Sequence, residues 1–314
     1  MHPIYLINKL VTKRVVFIIP PKVHLLDLSG PIHAFYEANE YGASFELVFA
    51  SLFEENNSII SSAGLSITNM VSFKKITLLA SDYIFVPGAS FSMLSDISFL
   101  SKCKELFEWL RIQHSKNVKI CSVCTGLFLL AETGILNGKK CTTHWNRIEN
   151  FSKRYPNIKI KRNMIFVKDK NIYSSAGITA GIDLSIHIIE KELGAKFSVD
   201  IAKEMVVYFR RGESDTQMNI YLQYRNHIEN RIHEAQTYIL KNLEVAYTLE
   251  QIAEVIGMSG RNLSRLFKKT TGITIGFYRE KLRVERANQM IKENYTMQAV
   301  ANACGLNSTN QLRL

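Results

Sequence analysis

Hydrophobic positions along this chain follow two regimes. In the N-terminal part, short apolar runs rich in β-branched and aromatic residues, RVVFIIP (14–20), FELVFAS (45–51), YIFVPG (83–88) and VKICSV (118–123), alternate with stretches of helical periodicity. The helical stretches are PIHAFYEANEYG (31–42), KCKELFEWLRIQHSK (102–116) and GLFLLAETGIL (126–136). Buried strands alternating with amphipathic helices predict an α/β fold, a parallel sheet with helices on both faces. Over 101–114, Cys103, Leu106, Phe107, Leu110 and His114 share one stripe and are assigned to the core, with His114 at the helix C-terminus. In GITAGIDLSIHIIEKEL (177–193) the spacing of Ile182, Ile186 and Ile189 also means core packing, and the polar Asp183 is placed to face a pocket.

From Thr248 the period changes. In TLEQIAEVIGMSGRNLSRLFKK (248–269), Ile252, Ala253, Ile256, Leu263 and Leu266 fall where two short helices would bury one face against each other. Gly257 lies at the break, where positive φ carries no Cβ penalty, and Ser259 is the expected N-cap of a second helix starting near Gly260. The outer face of that helix carries Arg261, Asn262, Ser264, Arg265 and Lys268, a mixture of base-edge readers and phosphate binders suited to a major groove. The competing reading is a surface helical hairpin with solvated cations. A partial repeat weighs against it, because Val300, Ala301 and Gly305 reproduce the spacing of Ile252, Ala253 and Gly257. Between the two copies, Phe277, Leu282, Ala287, Met290 and Ile291 predict a linker helix within 273–294.

Apolar periodicity lapses at RRGESDTQMN (210–219), which divides the chain into an N-terminal domain (1–211), a linker (212–230) and a helical C-terminal domain (231–314). With 314 residues and 46% hydrophobic content there is material for two cores. The formal net charge of +11 favours an anionic partner. More telling is its clustering, since Arg261 to Arg286 holds eight Lys/Arg against two acids, Glu280 and Glu285. VVFIIPP (15–21) is too short to span a bilayer, and no other apolar run reaches about 18 residues, so a soluble cytoplasmic protein is expected. Five cysteines, an odd number, fit a reducing compartment. Only Cys121 and Cys124 have ligand-like spacing, and without a second pair no metal is expected. No phosphate-binding glycine motif is present, and no cofactor is expected.

The sharpest chemical feature is KICSVCTGLFLLAETGIL (119–136). A buried strand ends at Val123, Cys124 follows, and Thr125 and Gly126 open a helix, so the thiol sits at a strand-to-helix elbow beside helix N-terminal amides. That position favours a thiolate; the alternative is a small buried cysteine without chemistry. Asp27 is placed either to hydrogen-bond the thiol or activate a water, or to cap a helix beginning near Pro31, a task for which Ser29 is better suited. His144, after the strand-like CTTHW (141–145), either reaches the pocket or is a satisfied core or loop histidine.

Two resemblances extend these readings. LEQIAEVIGMSGRNLSRLFKKTTGIT, YREKLRVERANQMI and VANACGLNS resemble the DNA-binding domain of AraC/XylS-type transcription regulators. That family uses two helix-turn-helix units joined by a rigid helix. The resemblance implies that Ser259, Gly260, Arg261, Asn262, Arg265 and Lys268 belong to the first DNA-contacting surface and that Ser308, Thr309 and Asn310 open the second. Relative to the family pattern, the second recognition helix is interrupted at Leu314, so a frayed last turn and weaker second groove contact are expected. LDLSGPIHAF (26–35), FVPGAS (85–90), VCTGLFLLAETGILNGKKCTTHW (123–145) and SSAGITAGIDLSIHIIEKELG (174–194) resemble the glutamine-amidotransferase-like, PfpI-type domain. This implies a flavodoxin-like sandwich with a ligand pocket formed by Asp27, Gly88, Cys124, Thr125 and His144. The related isocyanide hydratases pair an Asp with the elbow Cys, and Asp27 and Cys124 match. Thr125 stands where protease-like members have His, which argues against Cys-His proteolysis.

The combined expectation is a homodimeric regulator that binds promoter DNA and senses a small, nitrogenous metabolite. The alternative is a cysteine-dependent hydratase or amidase-like enzyme using Cys124 and Asp27.

Overall fold

The computed structural model describes residues 12–53, 58–207, 220–225, 227–292 and 295–312. The boundary placed at 210–219 lies outside these described residues. Contacts divide the chain into two compact units, Met1–Gln217 and Met218–Leu314.

The first unit is built on a seven-stranded sheet. Its strands are β1 (Lys13–Ile19), β2 (Phe45–Ser51), β3 (Val71–Ser72), β4 (Tyr83–Val86), β5 (Lys119–Val123), β6 (Phe166–Asp169) and β7 (Ile172–Ser175). They run in the order β6-β7-β5-β4-β1-β2-β3, and every pairing is parallel except the β6–β7 hairpin at one edge. Alternate residues of a strand point to opposite faces, and the burial follows that period. Val15, Phe17 and Ile19 of β1 enter one core, with Phe85, Cys121 and Val123. Val16 and Ile18 enter the other, with Ile84, Val86 and Ile120.

The first core is closed by α1 (Leu25–Glu40), through Ala34, Phe35 and Ala38, and by a helix over Thr179–Leu193, through Leu184, Ile188 and Ile189. The second is closed by α2 (Lys104–Ser115), through Leu106, Phe107 and Leu110, and by α3 (Gly126–Glu132). The helix expected over 101–114 is broken at Cys103, which lies between Ile97–Lys102 and α2. We label Thr179–Leu193 as α4; it is followed by α5 (Ala195–Glu204). Where α1 crosses α4, a Cβ on Gly30 would lie 2.8 Å from Ile182, and one on Gly181 would lie 2.9 Å from Val123, so glycine permits the close approach.

Helix α1 begins at Leu25 and carries Pro31 in its interior, six residues earlier than expected. The proline cannot donate to the carbonyl of Asp27. The first turn is held instead by Leu28 N–H to His24 O and by the Ser29 hydroxyl donating to Leu25 O. Ser29 therefore does not cap a helix at Pro31, and Asp27 lies inside the first turn of α1.

The second unit is helical: α6 (Asn230–Lys241), α7 (Leu249–Val255), α8 (Gly260–Thr271), α9 (Ile275–Lys292) and α10 (Met297–Ala303). Its main core joins Ile232, Ala235 and Ile239 with Ile252, Ala253, Leu263, Phe267, Tyr278 and Leu282. A smaller core joins Ala287 with Val300 and Cys304. The buried stripe of α9 differs from the sequence expectation. Tyr278 is buried, whereas Phe277 and Ile291 are each 45% exposed. Among the described residues, no helix is long and apolar enough to cross a membrane.

Candidate functional site: the Cys124 elbow and the helix-turn-helix surface

Cys124 follows directly on β5 and has φ +56°, a sterically costly conformation for a residue with a Cβ. It is held there by its N–H, which donates to Ser175 O at 3.0 Å, and by its carbonyl, which accepts from the Thr143 hydroxyl at 2.8 Å. Thr125 follows, buried, its hydroxyl donating to Ala89 O at 3.0 Å and accepting from Ala89 N–H at 3.1 Å. Gly126 opens α3 against β4, where a Cβ would meet Val86 O at 2.1 Å. The elbow is thus locked to β4, β7 and the 88–90 loop.

Asp27 reaches the elbow from α1. It is 1% exposed. One carboxylate oxygen, Oδ1, accepts the N–H of Ile178 at 2.7 Å; the other, Oδ2, lies 3.2 Å from Nδ1 of His24. A Cβ on Gly88 would sit 2.3 Å from Asp27 Oδ2, 2.9 Å from Thr125 Oγ1 and 3.0 Å from Cys124 Cβ. A Cβ on Gly177 would lie 2.7 Å from Cys124 Sγ and 3.2 Å from His144 Cδ2. The structure therefore brings together all five pocket residues expected from sequence: Asp27, Gly88, Cys124, Thr125 and His144.

Electrostatics correct one expectation. Burial, followed by the negative charge of Asp27, pushes the Cys124 thiol well above its ordinary range, while the Thr125 backbone amide pulls it down less strongly. The helix-terminus amide is present as predicted, but desolvation outweighs it, so this elbow does not favour a thiolate. Burial also lowers His144, partly offset by Asp27. His144 is half-buried, its Nδ1 accepting from Asn146 N–H at 3.3 Å.

In the second unit, Thr248 and Gln251 form a reciprocal capping box that starts α7. Gly257 has φ +67° at the break. Ser259 Oγ accepts from Asn262 N–H at 3.4 Å and caps α8, which begins at Gly260. Leu263 and Phe267 are fully buried and Leu266 is partly buried. Arg261, Asn262, Ser264, Arg265 and Lys268 are all exposed on the opposite side. In the partial repeat, Thr296 caps α10, Gly305 has φ +61°, and a single 3-10 turn spans Thr309–Leu312. Of the residues expected to open the second recognition helix, Asn310 is exposed and Ser308 and Thr309 are half-buried.

Residues 13–191 match the model of the DJ-1/PfpI family. The chain belongs to the DJ-1/PfpI family. It also carries a helix-turn-helix domain, matched over residues 252–313, where the AraC/XylS resemblance had been drawn. Similar curated proteins from Pseudomonas aeruginosa include the HTH-type transcriptional regulator GbdR, 31% identical over 67% of this chain and 57% of GbdR. Another is the HTH-type transcriptional regulator CdhR, 26% identical over 93% of this chain and 84% of CdhR. The chain thus spans little more than half the length of GbdR. A solved AraC family transcriptional regulator from Pseudomonas putida superposes with a TM-score of 0.52 at 19% identity, covering 62% of this chain and 99% of that one, and shares the fold.

Within this DJ-1/PfpI chain, one pocket residue was missed by sequence reasoning. His24 precedes α1 and touches Asp27, but with the helix expected to begin near Pro31 it had no assigned place. The Pro-tolerant start of α1 is what turns His24 toward the elbow. Cys121, paired with Cys124 by spacing alone, lies within β5, fully buried in the first core.

Proposed function

We propose that this chain is a sequence-specific DNA-binding transcription regulator whose DJ-1/PfpI unit holds a small ligand at the Cys124 elbow. The observation that carries the reading is the division of α8. Leu263 and Phe267 are anchored in the core, while Arg261, Asn262, Arg265 and Lys268 are free to meet a groove. Ser259 and Gly260, at the capped N-terminus of α8, would lie nearest the phosphates, where backbone N–H groups face an anion. Ser308, Thr309 and Asn310 would meet the adjoining groove segment. The kinship with GbdR and CdhR supports the same reading.

For the ligand, Asp27, Gly88, Cys124, Thr125 and His144 combine a carboxylate, a neutral thiol, a hydroxyl and an imidazole. That set suits a small nitrogenous, amino-acid-like metabolite, which a carboxylate and hydrogen-bond acceptors would hold. A homodimer in the cytoplasm follows from the regulator reading. A domain split at 211, with 212–230 as linker and 231–314 as the DNA-binding part, completes it.

Arg265→Ala tests the proposal in a shift assay at fixed salt. If Arg265 reads a guanine edge, specific promoter binding weakens by about 1–3 kcal/mol. Unchanged affinity and specificity would remove Arg265 from that role.

A second reading, hydratase or amidase-like turnover, has one observation in its favour: the Asp27 carboxylate is close enough to the Cys124 thiol to act on its proton. It requires turnover of isocyanides, amides or α-oxoaldehydes that is lost in Cys124→Ser with folding retained. A wild-type chain inert toward all three classes would end it.

A further inference from the structure

Three donors of different chemistry meet at the elbow from separate points of the chain: His24 before α1, Asp27 in its first turn, and Cys124 after β5. An imidazole nitrogen, a carboxylate oxygen and Sγ all lie within 4.8 Å of one another, the one such group of three His, Cys, Asp or Glu side chains found among the described residues. Two are buried and His24 is half-buried, so the cluster has an interior wall and a side toward solvent.

Each donor is held by something other than its neighbours in the cluster. The Ile178 N–H occupies Oδ1 of Asp27 and leaves Oδ2 turned toward His24. Backbone bonds from Ser175 and Thr143 fix Cys124 at positive φ. The backbone of His24 is tied by its N–H to Gly88 O at 2.9 Å. Gly88 and Gly177 keep the surrounding space clear, since a Cβ at either would press on Asp27 Oδ2 or Cys124 Sγ.

We infer that His24, Asp27 and Cys124 form a three-ligand site for a divalent transition metal, with Zn2+ the best match, and that its fourth coordination position is open. Mixed nitrogen, oxygen and sulfur donors suit zinc, whereas Mg2+ and Ca2+ demand oxygen. Zinc bonds of about 2.0–2.3 Å in a tetrahedron place neighbouring donors roughly 3.3–3.6 Å apart. The His24 Nδ1 to Asp27 Oδ2 separation of 3.2 Å is already close to such an edge. The sulfur needs to move by no more than about an ångström to complete the set. On binding, the thiol forms the sulfur–metal bond and gives its proton to solvent, so uptake releases one proton per metal. The open position is then available to water or to a coordinating small molecule, which would give the pocket a ligand class defined by a metal-binding nitrogen or oxygen. The site stands independently of the DNA-binding reading.

The test uses the full chain, reduced with a phosphine and stripped with a chelator, titrated with Zn2+ and, for spectroscopy, with Co2+. One equivalent of metal is expected per chain, with a sulfur-to-cobalt charge-transfer band in the near ultraviolet. The band should vanish in Cys124→Ser and persist in Cys103→Ser. His24→Gln, at a half-exposed position that leaves the fold intact, should bind at least tenfold more weakly. Absence of metal uptake by the wild type, a band surviving in Cys124→Ser, or unchanged affinity in His24→Gln would each overturn the inference. Should Cys124→Ser fail to fold, His24→Gln decides alone. Because the DNA shift assay runs in chelator, failure of this site and failure of the regulator reading are separable.

Discussion

The N–H of Ile178 donates to Oδ1 of Asp27 at 2.7 Å, joining residues 151 positions apart. Ile178 itself sits at φ +43°, an unfavourable conformation for a β-branched residue, immediately before α4. The buried carboxylate therefore has a structural task as well as a chemical one: it compensates the strained turn that brings α4 against α1. This is why Asp27 is satisfied despite its burial, and why the pocket and the α1–α4 packing are one mechanical unit.

Gly88→Ala should show this coupling. The new methyl would press on Asp27 Oδ2, Thr125 Oγ1 and Cys124 Cβ together. All three are buried and tied by hydrogen bonds, so none swings away cheaply. A loss of about 1–3 kcal/mol is expected in urea unfolding of the N-terminal unit. A variant as stable as the wild type would mean that the Asp27 carboxylate has room that its contacts deny.

Alkaline pH should weaken the N-terminal unit through thiols remote from the elbow. Burial pushes Cys103 up to about 12, and burial aided by Asp169 pushes Cys141 up to about 12. In the unfolded chain a thiol titrates near 8.5. Below that value both states are protonated and the stability is fully present. Above it the unfolded chain sheds protons first, so stability falls as pH rises until the folded thiols titrate. Each thiol contributes a slope of up to about 1.4 kcal/mol per pH unit. Urea midpoints measured from pH 7 to 10.5 should decline above about 8.5, and a Cys103→Ala/Cys141→Ala double variant should decline less steeply. Identical slopes in the two proteins would refute the assignment.

How far the sequence disclosed this molecule depended on periodicity. Strands such as β1 and β5 announced themselves because both faces are buried, and the α7–Gly257–α8 unit because cap, break and apolar stripe coincide. The α9 stripe was misread where Phe277 and Tyr278 adjoin. Two adjacent aromatics fit the helical period almost equally, and only packing against Phe267 selects Tyr278. The pocket set was recoverable from separated motifs. His24 and the protonated state of Cys124 were not, since one depends on where α1 starts and the other on how completely the thiol is desolvated.

Two glycines of the paired turns should respond differently to alanine. Gly257 has φ +67° with nothing within 4 Å of an added Cβ, so Gly257→Ala costs only backbone strain, about 1–2 kcal/mol. At Gly305, φ is +61° and the methyl would also meet Leu243 O at 2.7 Å and Glu244 O at 2.8 Å. Backbone carbonyls yield less readily than side chains. Gly305→Ala should therefore destabilise the C-terminal unit more than Gly257→Ala does, as read by its thermal midpoint. Equal losses would show that α10 shifts freely relative to the end of α6.

Lys268 and Arg265 both project from α8, but their chemistry separates their roles. A lysine is a compact charge with no planar fork, suited to phosphate rather than to a base edge, whereas arginine can grip guanine with two parallel bonds. Neutralising one phosphate contact removes about 0.9 from the slope of log affinity against log salt on duplex DNA. Lys268→Ala should accordingly weaken operator and random DNA by the same factor and flatten the salt dependence by about that amount. Arg265→Ala should instead narrow the gap between operator and random DNA. Titrations of both variants on both DNAs across a salt series make the comparison. If Lys268→Ala changed specificity and left the salt slope intact, α8 would lie in the groove in a different rotation, with Lys268 toward the bases and Arg265 toward the backbone.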